Sequence, residues 1–151
     1  MRFQQIKDLL LYIEQVHQML SRLYGRLERQ ADAERSRLLL AYLRGREDAA
    51  TGQLHEYASQ LGESVAETWL EQGISHDMLA TINSTTLPAD MDGEAIIALV
   101  TGFERQLTEE LSRMARECPT DGTAALLDAL ASLEQQRLTR FVHGVHRFDD
   151  M

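Results

Sequence analysis

A single cysteine, Cys118, rules out an intramolecular disulfide framework, and only two prolines, Pro88 and Pro119, interrupt the chain. Runs of β-branched residues are missing from the long stretches, so strands have little to build on. No apolar run approaches the thickness of a bilayer. The opening Met1-Arg2-Phe3-Gln4-Gln5 carries no apolar signal segment, so the expected location is the cytoplasm, without membrane attachment. Positive charge is also scarce: 15 Lys and Arg stand against 24 Asp and Glu, a formal charge of −9. That balance argues against a groove-following nucleic-acid binder and against docking on anionic lipid. Arg35, Arg37, Arg44 and Arg46 form a local basic patch, but acids are interleaved with them, as on a solvated helix face. No Gly-rich phosphate loop, Ser-His-Asp order or Cys-x-x-Cys occurs.

What is present is helix-forming. Leu, Ala, Glu, Gln and Arg dominate the 151 residues, a length that fits a single helical domain, 1–151, with its own core. Apolar residues recur at steps of three and four in four long segments. The first helix is predicted over Phe3 to Arg29, with the stripe Phe3, Ile6, Leu9, Leu10, Ile13, Val16, Leu20, Leu23, Tyr24 and Leu27. Gln30-Ala31-Asp32 reads as a short turn with Asp32 as N-cap, making the next helix an antiparallel neighbour. The second spans Ala33 to Leu61, on Leu39, Leu43, Ala50, Leu54, Tyr57 and Leu61. A helical tail on Val65, Trp69 and Leu70 is expected to follow and to end at Gly73. The segment Ile74 to Gly93 reads as a long connection with a short helix around Met78, Leu79 and Ile82. The third helix is predicted over Glu94 to Glu117, capped by Asp92 and stopped by Pro119. The fourth runs from Thr123 to His146, on Leu126, Leu127, Leu130, Leu133, Leu138, Phe141 and Val145. The fold class is all-α: a four-helix bundle with no sheet and a long crossover between the second and third helices.

Each apolar stripe is broken by an ionisable residue. His17 lies between Ile13, Leu20 and Tyr24; Glu47 between Leu40, Leu43 and Leu54; Glu104 between Val100, Leu107 and Leu111. Glu134 lies between Leu127, Leu130 and Phe141, and Arg137 follows it by one turn. Glu14 falls on a flank. His17 is about 14 residues before the first turn and Glu47 about 15 after it; Glu104 and Glu134 each lie about 15 from Pro119, so the four heights agree within one helical turn. Charged side chains are rarely buried without partners, so a shared buried polar cluster of His17, Glu47, Glu104, Glu134 and Arg137 is expected.

This pattern resembles the ferritin-like superfamily, nearest to rubrerythrin-type bundles. Those place Glu on the first helix, Glu-x-x-His on the second, Glu on the third and Glu-x-x-His on the fourth, around two iron or manganese ions. Glu47, Glu104 and Glu134 match, and Tyr24 follows His17 by seven, as the family's Tyr follows its first Glu. Three positions depart: His17 stands in place of Glu, Ala50 in place of the first His and Arg137 in place of the second. Arg cannot ligate a metal, and it can neutralise carboxylates itself. The resemblance therefore implies a degenerate metal site, with Arg137 supplying positive charge to a salt-bridge network. The expected role is structural or interaction-based and non-catalytic, without a cofactor. The alternative is one iron, manganese or zinc ion on His17, Glu47, Glu104 and Glu134, with oxidoreductase chemistry.

Minor features complete the reading. His143 and His146 are spaced i, i+3 and could clip a surface metal, but near a fraying end and without a third ligand they read as ordinary surface residues. His55 is expected in solvent, His76 has no partner readable from sequence, and Cys118 reads as a packed bystander. A homodimer is expected, with Trp69 and Leu70 as an uncovered apolar tail.

Overall fold

The computed structural model describes residues 4–70, 75–118 and 120–149, the last four of these by backbone alone. Among the described residues, six helices and one minimal pair of extended segments occur: β1 (Gln4–Gln5), α1 (Ile6–Gln30), α2 (Glu34–Gln60), α3 (Glu63–Ala66), β2 (Trp69–Leu70), α4 (Asp77–Ser84), α5 (Gly93–Arg116) and α6 (Asp121–Asp149). The fold is all-α apart from that pair. No helix of the described residues is long and apolar enough to cross a membrane. The chain divides into two compact units, Met1–Gly93 and Glu94–Met151.

The first unit is built on the α1–α2 hairpin. The α1 stripe from Ile6 to Leu27 is buried along its length and packs on Leu39, Leu40, Leu43, Ala50 and Leu54 of α2. Each such side chain contributes about 1.5–3 kcal/mol when removed from water. The tight connection is held by Arg37, whose Nη1 donates to the carbonyls of Ala31 and Asp32 at 2.9 and 2.8 Å. Asp32 is not the N-cap of α2. Ala33 occupies that position without a side-chain bond, and the Asp32 backbone N–H donates to the Ala89 carbonyl at 2.9 Å.

The ends of the hairpin differ from the sequence expectation. α1 starts at Ile6, where the Gln5 N–H donates to Asp8 Oδ2 at 2.8 Å. Phe3 and Gly73 lie outside the described residues. The expected helical tail is only the single turn α3. Trp69 and Leu70 are extended and pair antiparallel with Gln5 and Gln4. The Ile6 N–H continues this pairing to the Thr68 carbonyl at 2.9 Å. A two-residue ribbon satisfies backbone groups at the start of α1 that have no helical partner. Trp69 is 61% exposed, whereas Leu70 is buried.

The connection then returns along α1. Met78 and Ile82 of α4 are buried, and α4 packs on α1. The route ends at the α1–α2 turn, where the Ser36 hydroxyl donates to the Met91 carbonyl at 2.9 Å and Ala89 meets Asp32. The segment thus travels the length of α1, about 37 Å for a helix of this size.

The second unit consists of α5 and α6. Ile96, Val100, Phe103, Leu107, Leu111 and Met114 are buried on α5; Leu127, Leu130, Ala131, Leu138, Phe141 and Val145 are buried on α6. Leu133 was expected in the α6 stripe but is 47% exposed, and the smaller Ala131 takes the inward place. The face through Leu127, Leu130, Leu138 and Phe141 points away from Leu133, so sequence hydrophobicity there overrules nothing in the packing. Pro119 lies outside the described residues.

Candidate functional site: a buried imidazole–carboxylate pair

The core of the first unit contains two fully buried ionisable side chains. α1 carries His17 on the face shared by Ile13, Leu20 and Tyr24, and α2 carries Glu47 on the face shared by Leu40, Leu43 and Ala50. Both side chains are 0% exposed, and His17 Nδ1 meets Glu47 Oε2 at 2.5 Å. With the proton on Nδ1, the imidazole donates and the carboxylate accepts. Burying either group alone would carry a penalty of several kcal/mol (about 2–7 for a neutral polar group, more for an ion), which the pairing offsets. The second carboxylate oxygen, Oε1 of Glu47, is buried and has no hydrogen-bond partner among the described residues.

Helix geometry puts the two residues together. They lie at matching distances from the turn, and both face inward, so an antiparallel hairpin brings them to one level. Neighbouring polar contacts keep to the edge of the hairpin. Ser21 Oγ donates to Asp48 Oδ1 at 2.7 Å, and Glu14 lies 3.5 Å from His55 Nδ1. Glu14 is on the flank as expected, and His55 is largely solvated but makes this contact with it. The hydroxyl of Thr51 donates back to the Glu47 carbonyl at 3.0 Å, a local bond that leaves the Glu47 side chain directed at His17.

In the second unit, Glu104 and Glu134 are buried on α5 and α6 respectively. Arg137 lies one turn from Glu134 on the same helix, with Nε 4.0 Å from Oε2 and side-chain exposures of 16% and 5%. That distance gives an ion pair longer than a hydrogen bond. His17, Glu47, Glu104 and Glu134 are thus each buried; the pairs seen within the units are His17–Glu47 and Glu134–Arg137.

Ala50, at the position of a histidine in the family pattern, is fully buried. Among the described residues, no group of three or more His, Cys, Asp or Glu side chains is arranged to hold a metal ion.

The other sequence candidates lie elsewhere. His143 is exposed and the side chain of His146 lies outside the described residues. His76 stacks edge-on against Tyr12, with ring centroids 5.6 Å apart. Cys118 is partly buried, its Sγ 3.7 Å from the Thr120 carbonyl. The buried Ser36 and the His76–Tyr12 contact escaped the sequence reading. Both join residues more than fifty positions apart, and neither leaves a periodic signal.

No protein-family model, no curated protein and no solved structure matches the chain.

Proposed function

We propose that this is a non-enzymatic scaffold or interaction protein of the cytoplasm, with its four long helices in a ferritin-like bundle of the rubrerythrin type. Buried ion pairs take the place of the two-metal centre. The bundle arrangement rests on the sequence register. The functional reading rests on one observation: His17 Nδ1 and Glu47 Oε2, at two ligand positions of the family pattern, are 2.5 Å apart and bonded to each other. Nδ1, while it carries that proton, is not available to a metal, so of this imidazole only Nε2 keeps a lone pair.

The remaining donors fit two metals poorly. Two divalent ions need roughly four carboxylates and two imidazoles, as in the intact family pattern. Here the donors at the corresponding positions are three carboxylates and one imidazole, with Ala50 and Arg137 at the histidine positions. A guanidinium beside Glu134 supplies fixed positive charge where a metal would supply it. The alternative, an iron, manganese or zinc protein built on His17, Glu47, Glu104 and Glu134, is favoured by one feature, the buried Oε1 of Glu47.

Metal analysis of protein purified without affinity resin or chelator tests the reading. The expected result is far less than one metal per chain. Added iron(II), manganese(II) or zinc(II) should raise the melting temperature by less than about 1 °C, since a ligand that does not bind the folded state cannot stabilise it. Near-stoichiometric metal, lost in Glu47→Gln, overturns it.

A further inference from the structure

Apart from Gln30 at its end, the exposed positions of α1 are Lys7, Leu11, Gln15, Gln18, Arg22 and Arg29. At 100° per residue they lie within about 80° of one another, so they form one narrow ridge. One flank of the ridge is α2, reached by Ser21 Oγ to Asp48 at 2.7 Å and by Glu28 to Arg44 at 3.2 Å. The other is α4, where Arg26 Nη2 donates to the Asn83 carbonyl at 3.4 Å. Near the α1–α2 turn two cations converge over Gly25. A Cβ placed there would lie 3.7 Å from Arg29 Nη1 and 3.7 Å from Arg44 Cδ.

The ridge carries no acid, although the chain holds 24 Asp and Glu against 15 Lys and Arg. The acids of α1 lie on its flanks and are engaged there. Asp8 accepts from the Gln5 N–H at 2.8 Å, Glu14 lies 3.5 Å from His55 Nδ1, and Glu28 pairs with Arg44. Lys7, Arg22 and Arg29 make no ion pair among the described residues. The dipole of α1 favours Arg29 in the last turn, but it disfavours Lys7 in the first and does not reach Arg22. Electrostatics within α1 therefore does not account for this row of cations.

We infer that this ridge is a docking surface for an acidic peptide segment of a partner protein. From Lys7 to Arg29 it is about 33 Å long, the span of about ten residues of extended chain. Cations stand at both ends, so one small anion cannot engage them together, whereas a peptide with several carboxylates can. A polynucleotide or an anionic bilayer extends beyond the ridge and meets the acids around it, where the net charge of −9 opposes binding. Exposed charge pairs are individually weak, so the complex exchanges rapidly and loosens with salt. The inference gives the interaction role proposed above a surface and a class of partner. It rests on that role only for its purpose: metal content decides the one, and peptide binding the other.

Fluorescence anisotropy with a labelled peptide of about ten residues, alternating Glu and Ser, measures the binding. The Kd should rise at least about fivefold when sodium chloride is raised from about 25 to about 200 mM. Arg22→Gln with Arg29→Gln should raise it about threefold to tenfold, and the melting temperature should stay within about 2 °C of wild type because both side chains are exposed. Arg105→Gln with Arg140→Gln removes the same charge from exposed positions of α5 and α6 and should change the Kd by less than about twofold. Amide shifts on titration with the peptide should centre on Gln15 to Arg29. An absence of saturable binding, equal weakening by the two double variants, or shifts centred outside α1 overturns the surface. Tighter binding to phosphatidylserine vesicles or to duplex DNA than to the peptide overturns the choice of partner.

Discussion

Replacing His17 and Glu47 singly and together should reveal a large coupling between them. His17→Leu removes the donor and leaves a carboxylate enclosed by Leu40, Leu43 and Ala50, with both oxygens then lacking hydrogen bonds. Breaking a buried pair in this direction costs about 3–5 kcal/mol. Glu47→Leu leaves an imidazole, which can remain uncharged, so its cost is nearer the loss of one buried hydrogen bond, about 1–3 kcal/mol. The double variant replaces the pair with apolar groups of similar volume and should cost less than His17→Leu alone, because no polar atom is left stranded. Chemical denaturation followed by circular dichroism at 222 nm measures all three. For a chain of this length, about 3 kcal/mol corresponds to a melting temperature lowered by about 6–12 °C. The cycle should give a coupling of about 2 kcal/mol or more. Simple additivity, within about 0.5 kcal/mol, would refute the idea that each residue is retained as the partner of the other.

Three further outcomes follow from the packing. Arg137→Ala should destabilise the protein by about 1–3 kcal/mol, because Glu134 keeps its buried charge and loses its neighbouring cation; thermal denaturation with Arg137→Met as the control separates charge from packing. Ser36→Ala should cost about 1 kcal/mol by removing the bond to the Met91 carbonyl, and limited proteolysis should cut the connection before α5 faster than in wild type. Met78→Ala should cost about 2–4 kcal/mol, since its side chain is buried where α4 packs on α1; a cost below about 1 kcal/mol would mean that α4 is only loosely attached.

The long helices were legible because periodicity is a local property. α2, α5 and α6 begin and end within a few residues of the positions read from spacing, caps and Pro119. The same rule misled at Val65, Trp69 and Leu70. Their spacing suits a helix, but the segment is short, and its backbone is claimed by Gln4 and Gln5, more than sixty residues away. Leu133 shows a second limit. Counting large apolar residues favoured it over Ala131, although the face defined by Leu127, Leu130, Leu138 and Phe141 runs through Ala131 and Glu134. The inward direction of His17 and Glu47 was readable, and so was their shared height, since both count back to one turn. The identity of the contact, Nδ1 to Oε2, was not, because it depends on side-chain rotamers.

The central claim is that His17 and Glu47 are bonded to each other and do not serve as metal ligands. Nitrogen-15 NMR of histidine-labelled protein observes this directly. The account predicts a protected proton on Nδ1 of His17 that is lost in Glu47→Leu, with ring-nitrogen shifts that do not move when zinc(II) is added in excess. A zinc-induced shift of either His17 ring nitrogen that saturates at one metal per chain would contradict it.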